Sequence, residues 1–382
     1  MNKKICLIMV GYLNKYPPIL SFIQATKDLG YDLTVMAAGN NSNIENYPGY
    51  DFTGVKAVDV IGEYESDISK VAKLLRMQKI SKALWTEIEK PEYADHLFVI
   101  VSEITVKHLG DKIKKLNYVL YQLELIEGYE IVPHVKLLQL NATEIGNASK
   151  GMIVCEYNRA HITKTWWKLN RLPYIIKNKP YVPSFEVEQA PENVKQMIAS
   201  IQEAAKGRHI VLYQGIVNKQ RPIGKFVQAV SQLSDRYFFV SMSNTVPEVE
   251  GELPENFMHV PFIAPPYHLA VTSIAHIGIL VYISGGKSSY SSLNPVYCAP
   301  NKIWEYAKFG VPMIANDNPA LEMEFSVNGI GCCARSLDGE DIVSCINKIE
   351  AKYEDYYRNA LTYFDSYDVK EEIAKILNSI EW

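Results

Sequence analysis

Asn294-Pro-Val-Tyr-Cys-Ala-Pro300-Asn-Lys-Ile-Trp-Glu305-Tyr-Ala-Lys-Phe-Gly310-Val-Pro312-Met-Ile-Ala315 is the stretch on which the reading of this chain turns. Pro300 stands where a helix begins, a position that tolerates the missing N–H. The residues before it, Cys298 and Ala299, are poor N-caps. A helix start without its own capping oxygen leaves backbone donors free, and those donors together with the helix dipole suit a phosphate. Glu305 falls one turn in, near Asn301 and Lys302 on the same face, where a carboxylate can accept two hydrogen bonds from ribose hydroxyls. Gly310 reads as the residue just past the helix, and Pro312 leads into a strand. Taken alone, the same residues also describe a surface helix with a solvated Glu and Lys.

Working outward, short apolar runs alternate with helical patterns. In the first half the strands are Ile5–Val10, Leu33–Ala37, Val55–Ile61, Leu97–Val101 and Tyr118–Tyr121. The helices are Ile19–Leu29, Ile68–Ile88 and Val106–Leu116, and Asn40–Tyr50 reads as a loop. Glu186 to Gly207 is polar, looks helical toward its end and reads as a connector, with 191–207 as the linker proper. The pattern restarts with strand His209–Gln214, helix Ile223–Leu233 and strand Tyr237–Met242. A strand near Met258–Val260, a helix around Tyr267–Ala275 and strand Ile277–Ile283 follow. Helix Asn301–Phe309, strand Pro312–Ala315, helix Asp341–Ile349 and a helical tail broken near Tyr367–Asp368 complete it. Such alternation predicts βαβ units around parallel sheets. The expected fold class is α/β, with two Rossmann-like doubly wound domains facing a central cleft, since ligands of such sheets bind beyond the carboxyl ends of the strands. Residues 1–190 form the first domain and 208–365 the second.

The 382 residues suit two domains, and neither the 48% apolar nor the 21% charged content is unusual for a soluble globular protein. The net charge of −4 gives no global pull toward nucleic acid. Neither half shows GxGxxG after its first strand, which disfavours a NAD-binding enzyme. The six cysteines form no CxxC and no zinc spacing, and read as reduced, mostly buried thiols. The apolar run after Met1-Asn-Lys-Lys is short for a signal peptide, and no other stretch is long enough to span a bilayer. A cytoplasmic protein is expected. Between Tyr157 and Phe185 there is no acidic residue, while Arg159, Lys164, Lys168, Arg171, Lys177 and Lys179 stand with Trp166 and Trp167. A basic helix with paired Trp suits an anionic membrane surface, so a peripheral contact through Arg159–Lys179 at the inner face of the membrane is an expectation too.

Pro-Asn-Lys-x-x-Glu-Tyr-x-x-x-Gly-x-Pro resembles the nucleotide-sugar signature of bacterial glycosyltransferases of the GT-B fold, and is most similar to family 4. Val211-Leu-Tyr-Gln-Gly215 with Arg221 resembles that family's first strand of the second domain, where the Gly ends the strand and an Arg binds the donor diphosphate. Val260-Pro-Phe262-Ile263, then Ala275-His276-Ile-Gly278-Ile, is similar to the segment that reads the nucleobase. A looser likeness covers the strand ending at Gly11-Tyr12, on the acceptor side. Where the family carries a Glu eight residues before the helix Glu, as a donor-sugar contact, this chain has Tyr297. Where it has Asp before Ile-Gly, this chain has His276.

The resemblance implies a metal-independent, hexosyltransferase-type enzyme with a nucleotide sugar such as a UDP-sugar as donor substrate and no cofactor. Its tail helix, about 366–382, would cross back onto the first domain. The donor would meet Gly215, Arg221, Phe262, Ile263, Tyr297, Pro300, Asn301, Lys302 and Glu305. Arg221 and Lys302 would stabilise the leaving diphosphate. An inverting reaction would need a general base, for which Glu103 and Glu124, beyond the ends of their strands, are candidates. The acceptor would be a glycan or a polyprenol-linked molecule, as in surface polysaccharide synthesis. Two other readings stand beside this one: a catalytically silent subunit supporting a partner transferase, and a sugar-nucleotide 2-epimerase.

Overall fold

The structure, a computed structural model, describes residues 3–39, 44, 47–63, 69–131, 139–182, 186–285 and 290–381. The chain divides into two compact units: Met1–Ser184 with Ser289–Ser291 and Asp368–Trp382, and Phe185–Ser288 with Ser292–Tyr367.

The first unit is built on a seven-stranded sheet with β1 (Lys4–Met9), β2 (Asp32–Ala37), β3 (Lys56–Ala57), β4 (Leu97–Val101), β5 (Tyr118–Tyr121), β8 (Gly151–Val154) and β9 (Tyr174–Ile175). β6 (Tyr129–Glu130) and β7 (Gln139–Leu140) pair separately as a short antiparallel ribbon. The sheet order is β3-β2-β1-β4-β5-β8-β9, parallel throughout. β1 and β4 are buried on both faces, which is why their sequences are unbroken apolar runs rather than alternating ones. The helices are α1 (Pro17–Asp28), α2 (Lys70–Ile88), α3 (Ser102–Leu109), α4 (Ala142–Ala148) and α5 (Tyr157–Trp166). α1 opens on two prolines, at positions where a helix has no use for their N–H.

The second unit carries α6 (Glu192–Ala205), α7 (Gly224–Ser231), α8 (His268–Thr272), α9 (Leu293–Val296), α10 (Asn301–Ala307), α11 (Pro319–Asn328), α12 (Gly339–Glu350) and α13 (Tyr353–Asp365). Its six strands are β10 (His209–Gly215), β11 (Tyr237–Ser243), β12 (Phe257–Pro261), β13 (Ile277–Leu280), β14 (Met313–Asn316) and β15 (Gly331–Ala334). Their order, β12-β11-β10-β13-β14-β15, is the doubly wound 3-2-1-4-5-6 order, all parallel. Side-chain alternation splits the core between the two faces. Ile210 and Leu212 join one cluster with Trp304 and Tyr306, while Val211 and Tyr213 join the other with Phe226 and Ile346. Gly278 is required by the packing: a Cβ there would sit 2.6 Å from the Tyr306 ring, whose hydroxyl donates to the Leu212 carbonyl at 2.8 Å.

The structure departs from the sequence reading in several places. Residues 191–207, read as a linker helical toward its end, are helical already from Glu192 to Ala205, and α6 buries Val194, Ile201 and Ala205 in the second unit. Val55–Ile61 shrinks to the two residues of β3. The helix read as Val106–Leu116 begins at Ser102 and passes into a tighter 3-10 turn over Gly110–Lys115. Residues 40–43 and 45–46 of the expected loop, and the first residue of helix Ile68–Ile88, lie outside the described residues. The tail breaks between α13 and α14 (Val369–Ser379), with Asp368 capping α14 through a 2.9 Å bond from the Glu371 N–H. α14 belongs to the first unit, packs on α1 and donates from Ser379 to the Tyr174 hydroxyl.

No described helix is long and apolar enough to cross a membrane. Within the basic window Lys168 and Arg171 are exposed, whereas Trp167 and Arg159 are not surface groups. Trp167 is fully buried against Tyr129, with its indole N–H donating to the Glu127 carbonyl. Arg159 is buried too, donating to the Leu123 carbonyl at 2.8 Å. The cause is the helix period: α5 turns Arg159, Ala160 and Thr163 inward, so the Trp pair is split between core and rim.

Candidate functional site

In a sheet of this order the crevice at the switch point lies beyond the carboxyl ends of the two strands flanking it. In the second unit those strands are β10 and β13. β10 ends on Gln214 and Gly215, and the chain leaving β13 runs through Val281 and Tyr282.

Glu305, on α10, comes to this place as a buried carboxylate, 7% exposed. The Gln214 Nε2 donates to its Oε2 at 2.6 Å, and His268 Nε2 lies 3.2 Å from its Oε1. Thr272, one turn after His268 on α8, donates from its hydroxyl to Gln214 Oε1 at 2.7 Å, fixing which way the amide points. Burial by itself would raise the Glu305 carboxyl. His268, Lys302 and the Gln214 amide together outweigh it and hold the group below the ordinary carboxylate value. The carboxylate is ionised, oriented, and retains acceptor capacity, since its two oxygens offer about four lone-pair sites. His268 Nδ1 is buried with no hydrogen-bond partner among the described residues.

Lys302 stands beside it. Its Nζ donates to the Tyr282 hydroxyl at 3.2 Å and lies 5.7 and 5.4 Å from the Tyr213 and Tyr282 ring centres. Burial is the main cause, and the nearby Arg221 charge a second one, that brings its pKa down to about 7 despite the pull of Glu305. Gly215 makes room for it. At φ +123° the backbone is one that side chains rarely adopt, and a Cβ there would fall 2.7 Å from Lys302 Cε. Arg221 shares the Tyr282 ring, its guanidinium 5.0 Å from the centre. Among the described residues that guanidinium has no ion pair. Tyr282 is itself clamped: its N–H donates to Asn316 Oδ1 at 2.7 Å, and Asn316 Nδ2 donates back to its carbonyl at 3.0 Å.

The expected residues fall into two sets. Gly215, Arg221, Lys302 and Glu305 converge. Pro300 and Asn301 open α10, where no side chain caps the first turn. Phe262 follows edge strand β12, 58% exposed and without a ring partner among the described residues, whereas Ile263 packs on the core. Tyr297 ends α9, half-buried. His276 lies at the start of β13, opposite the crevice end. There it stacks between His209 and Tyr353 and meets Glu350 at 2.7 Å. Gln214, His268, Thr272 and Tyr282 were not singled out from sequence. The available signal was a glutamine ending a buried apolar strand, and a His–Thr pair four residues apart.

In the first unit, β1 and β4 flank the switch point. Beyond β1, Gly11 is buried, and Tyr12 donates to Glu63 at 3.3 Å. Ser102 turns the chain out of β4 at φ +67°, and the next residue, Glu103, is 7% exposed. Burial raises the Glu103 carboxyl, and the Glu124 charge adds to the effect. Glu124 is more open and pairs with Arg159 at 3.8 Å. Among the described residues no group of three or more His, Cys, Asp or Glu side chains is arranged to hold a metal ion.

No family model matches this chain, and no curated protein matches it. Solved structures match along its whole length. A glycosyltransferase from Rickettsia africae matches with TM-score 0.65 and 12% identity, over 99% of this chain and 97% of that one. Anabaena Alr3699/HepE, in complex with UDP and glucose, matches with TM-score 0.64 and 12% identity, over 99% of both chains. A putative UDP-N-acetylglucosamine 2-epimerase from Listeria monocytogenes matches with TM-score 0.61 and 10% identity, over 99% and 95%. With these likenesses and two Rossmann-like sheets, the chain has the GT-B fold.

Proposed function

We propose that this protein is a glycosyltransferase of family-4 type that takes its sugar from a nucleotide donor bound by the second unit. The observation that carries the reading is the Glu305 carboxylate: buried, held ionised by Gln214 and His268, and set beside Lys302 and Arg221 at the switch point. A carboxylate next to two basic groups answers the two ends of a nucleoside diphosphate, ribose hydroxyls and phosphates. The Anabaena structure of the same fold, in complex with UDP and glucose, supports a UDP-sugar as donor.

In this reading Glu305 accepts from the ribose. Arg221, Lys302 and the α10 backbone at Pro300–Asn301 neutralise the diphosphate as it leaves, with no metal required. Gly215 lets the phosphates approach, Phe262 and Ile263 lie along the base, and Tyr297 meets the sugar. On the first unit, Gly11 and Tyr12 belong to the acceptor side, and Glu103 is a better base than Glu124. Burial has raised its carboxyl toward working pH, whereas Glu124 is engaged by Arg159. The acceptor is a glycan or lipid-linked molecule of surface polysaccharide synthesis.

The test is release of nucleoside diphosphate from UDP-, GDP- and dTDP-sugars, with and without EDTA. Slow donor hydrolysis that survives EDTA and is lost in Arg221→Ala is expected. Turnover that stops with EDTA and returns with manganese contradicts the metal-free chemistry. No turnover with any donor, together with intact nucleotide binding, moves the protein to the silent-subunit reading.

A further inference from the structure

Away from the crevice, on the edge strand of the second sheet, two thiols lie closer than non-bonded sulfurs normally sit. Cys332 on β15 and Cys345 on α12 have their Sγ atoms 2.8 Å apart, against about 2.05 Å for a disulfide. Neither is bonded: both are free thiols. Cys345 is fully buried, and Cys332, on edge strand β15, is partly exposed. The pair is therefore asymmetric: Cys332 is partly open to solvent and Cys345 is buried.

We propose that Cys332 and Cys345 form a reversible disulfide when the protein meets a peroxide. The Cys332 sulfur attacks one peroxide oxygen and the O–O bond breaks. The displaced hydroxide takes up the Cys332 thiol proton and leaves as water, and Cys332 becomes a sulfenic acid. The Cys345 sulfur then attacks Cys332, an S–S bond forms, the S–O bond breaks, and a second water carries off the Cys345 proton. Two thiols and one hydrogen peroxide give one disulfide and two waters, the two electrons passing to the peroxide. A thiol reductant reverses it by exchange.

The surroundings assist this chemistry. The hydrogen bond from the Cys345 thiol, and the Lys348 charge after it, favour the Cys332 thiolate; burial and Asp341 act against it. Cys345 is pushed the other way by the same bond and by its burial, so it remains the protonated partner. Strand geometry also decides which sulfur takes part. Cys332 packs with the cluster that contains Cys345 and Ile346, whereas its neighbour Cys333 packs on the opposite face with Phe325 and Ala315. Cys333 is half-buried and its thiol is pushed up to about 12, chiefly by burial. Adjacent in sequence, it is excluded by the pleat.

The full chain, treated with stoichiometric hydrogen peroxide, denatured and alkylated with N-ethylmaleimide, tests this. The expected result is loss of two of the six thiols, a cross-linked peptide containing residue 345, full recovery with dithiothreitol, and a higher Tm before reduction. Cys333→Ser retains all of this, and Cys332→Ser abolishes it. Six thiols remaining after treatment overturns the proposal, as does a cross-link that persists in Cys332→Ser. Should that variant fold poorly, Cys345→Ala reads the same chemistry, with Cys332 trapped as a sulfenic acid by dimedone and no internal cross-link. Absence of dimedone adduct there would also overturn it.

Discussion

Gln214 Nε2 donates to Glu305 Oε2 at 2.6 Å, and Thr272 donates to the other end of the same amide at 2.7 Å. The end of a strand and two helices, α10 and α8, are thus joined through one glutamine. The carboxylate is aimed before any ligand arrives, and His268, Lys302 and the Gln214 amide favour its charged form against the cost of burial.

Glu305→Ala should weaken nucleoside diphosphate binding by roughly 10- to 100-fold, the worth of charge-assisted hydrogen bonds at about 1.5–3 kcal/mol. It also leaves Gln214 and His268 without their partner, a cost to folding of about 1–3 kcal/mol. Gln214→Ala should cost less in affinity, since His268 still holds Glu305. Calorimetric titration and chemical denaturation of the two variants separate the effects.

Lys302 should make stability depend on pH. Its pKa is about 7 folded against 10.5 for an ordinary lysine. Between those values the unfolded chain holds a proton that the folded chain lacks, so stability rises with pH from about 7 toward 10. Lys302→Met should remove that part of the slope. A bound diphosphate should return the proton. Binding at pH 8 is then accompanied by proton uptake, visible as a binding enthalpy that differs between Tris and HEPES. Equal enthalpies after correction for dilution would count against a buried, neutral Lys302.

Arg221→Ala should leave Tm nearly unchanged, because among the described residues the guanidinium has no ion pair and lies over the Tyr282 ring, while discrimination between a nucleoside diphosphate and the bare nucleoside falls. Arg221→Lys should restore part of it, as a point charge without the planar fork. Competition titrations with UDP and uridine measure the ratio.

Gly278→Ala should be among the most damaging single changes far from any ligand. The new methyl meets the Tyr306 ring, which is buried and tied to Leu212. Overpacking of this kind costs about 1–3 kcal/mol, read as a lowered denaturation midpoint.

Glu103→Gln should lower donor turnover without changing nucleotide affinity. In the parent protein, activity should fall on acidification through a pKa above the ordinary glutamate value, because a base must be ionised and burial raises this carboxyl. A turnover equal to the parent's would remove Glu103 from the chemistry.

What the sequence made legible follows from burial. β4 and β5 match their expected bounds residue for residue, and β1 to within one, because strands covered on both faces leave unbroken apolar runs. β9 and β15 were invisible: two residues, or a Gly-Cys-Cys-Ala run, carry no periodic signal. The start of α3 was misplaced because Ser102 enters it from a left-handed backbone, which no composition announces. In the site, Glu305, Lys302 and Gly215 were readable from one helix start and one strand end. Gln214, His268 and Thr272 were not, since they meet only after the chain has wound through two strands. Trp166 and Trp167 show the converse: adjacent letters suggested one face, and the helix sent Trp167 to the core.

The most direct measurement is isothermal titration of UDP, GDP, dTDP, ADP and CMP into the parent protein and Glu305→Ala. Saturable 1:1 binding of one nucleoside diphosphate is expected, weakened at least tenfold by the substitution. Binding of none of them, or binding that Glu305→Ala leaves unchanged, would contradict the proposed donor site.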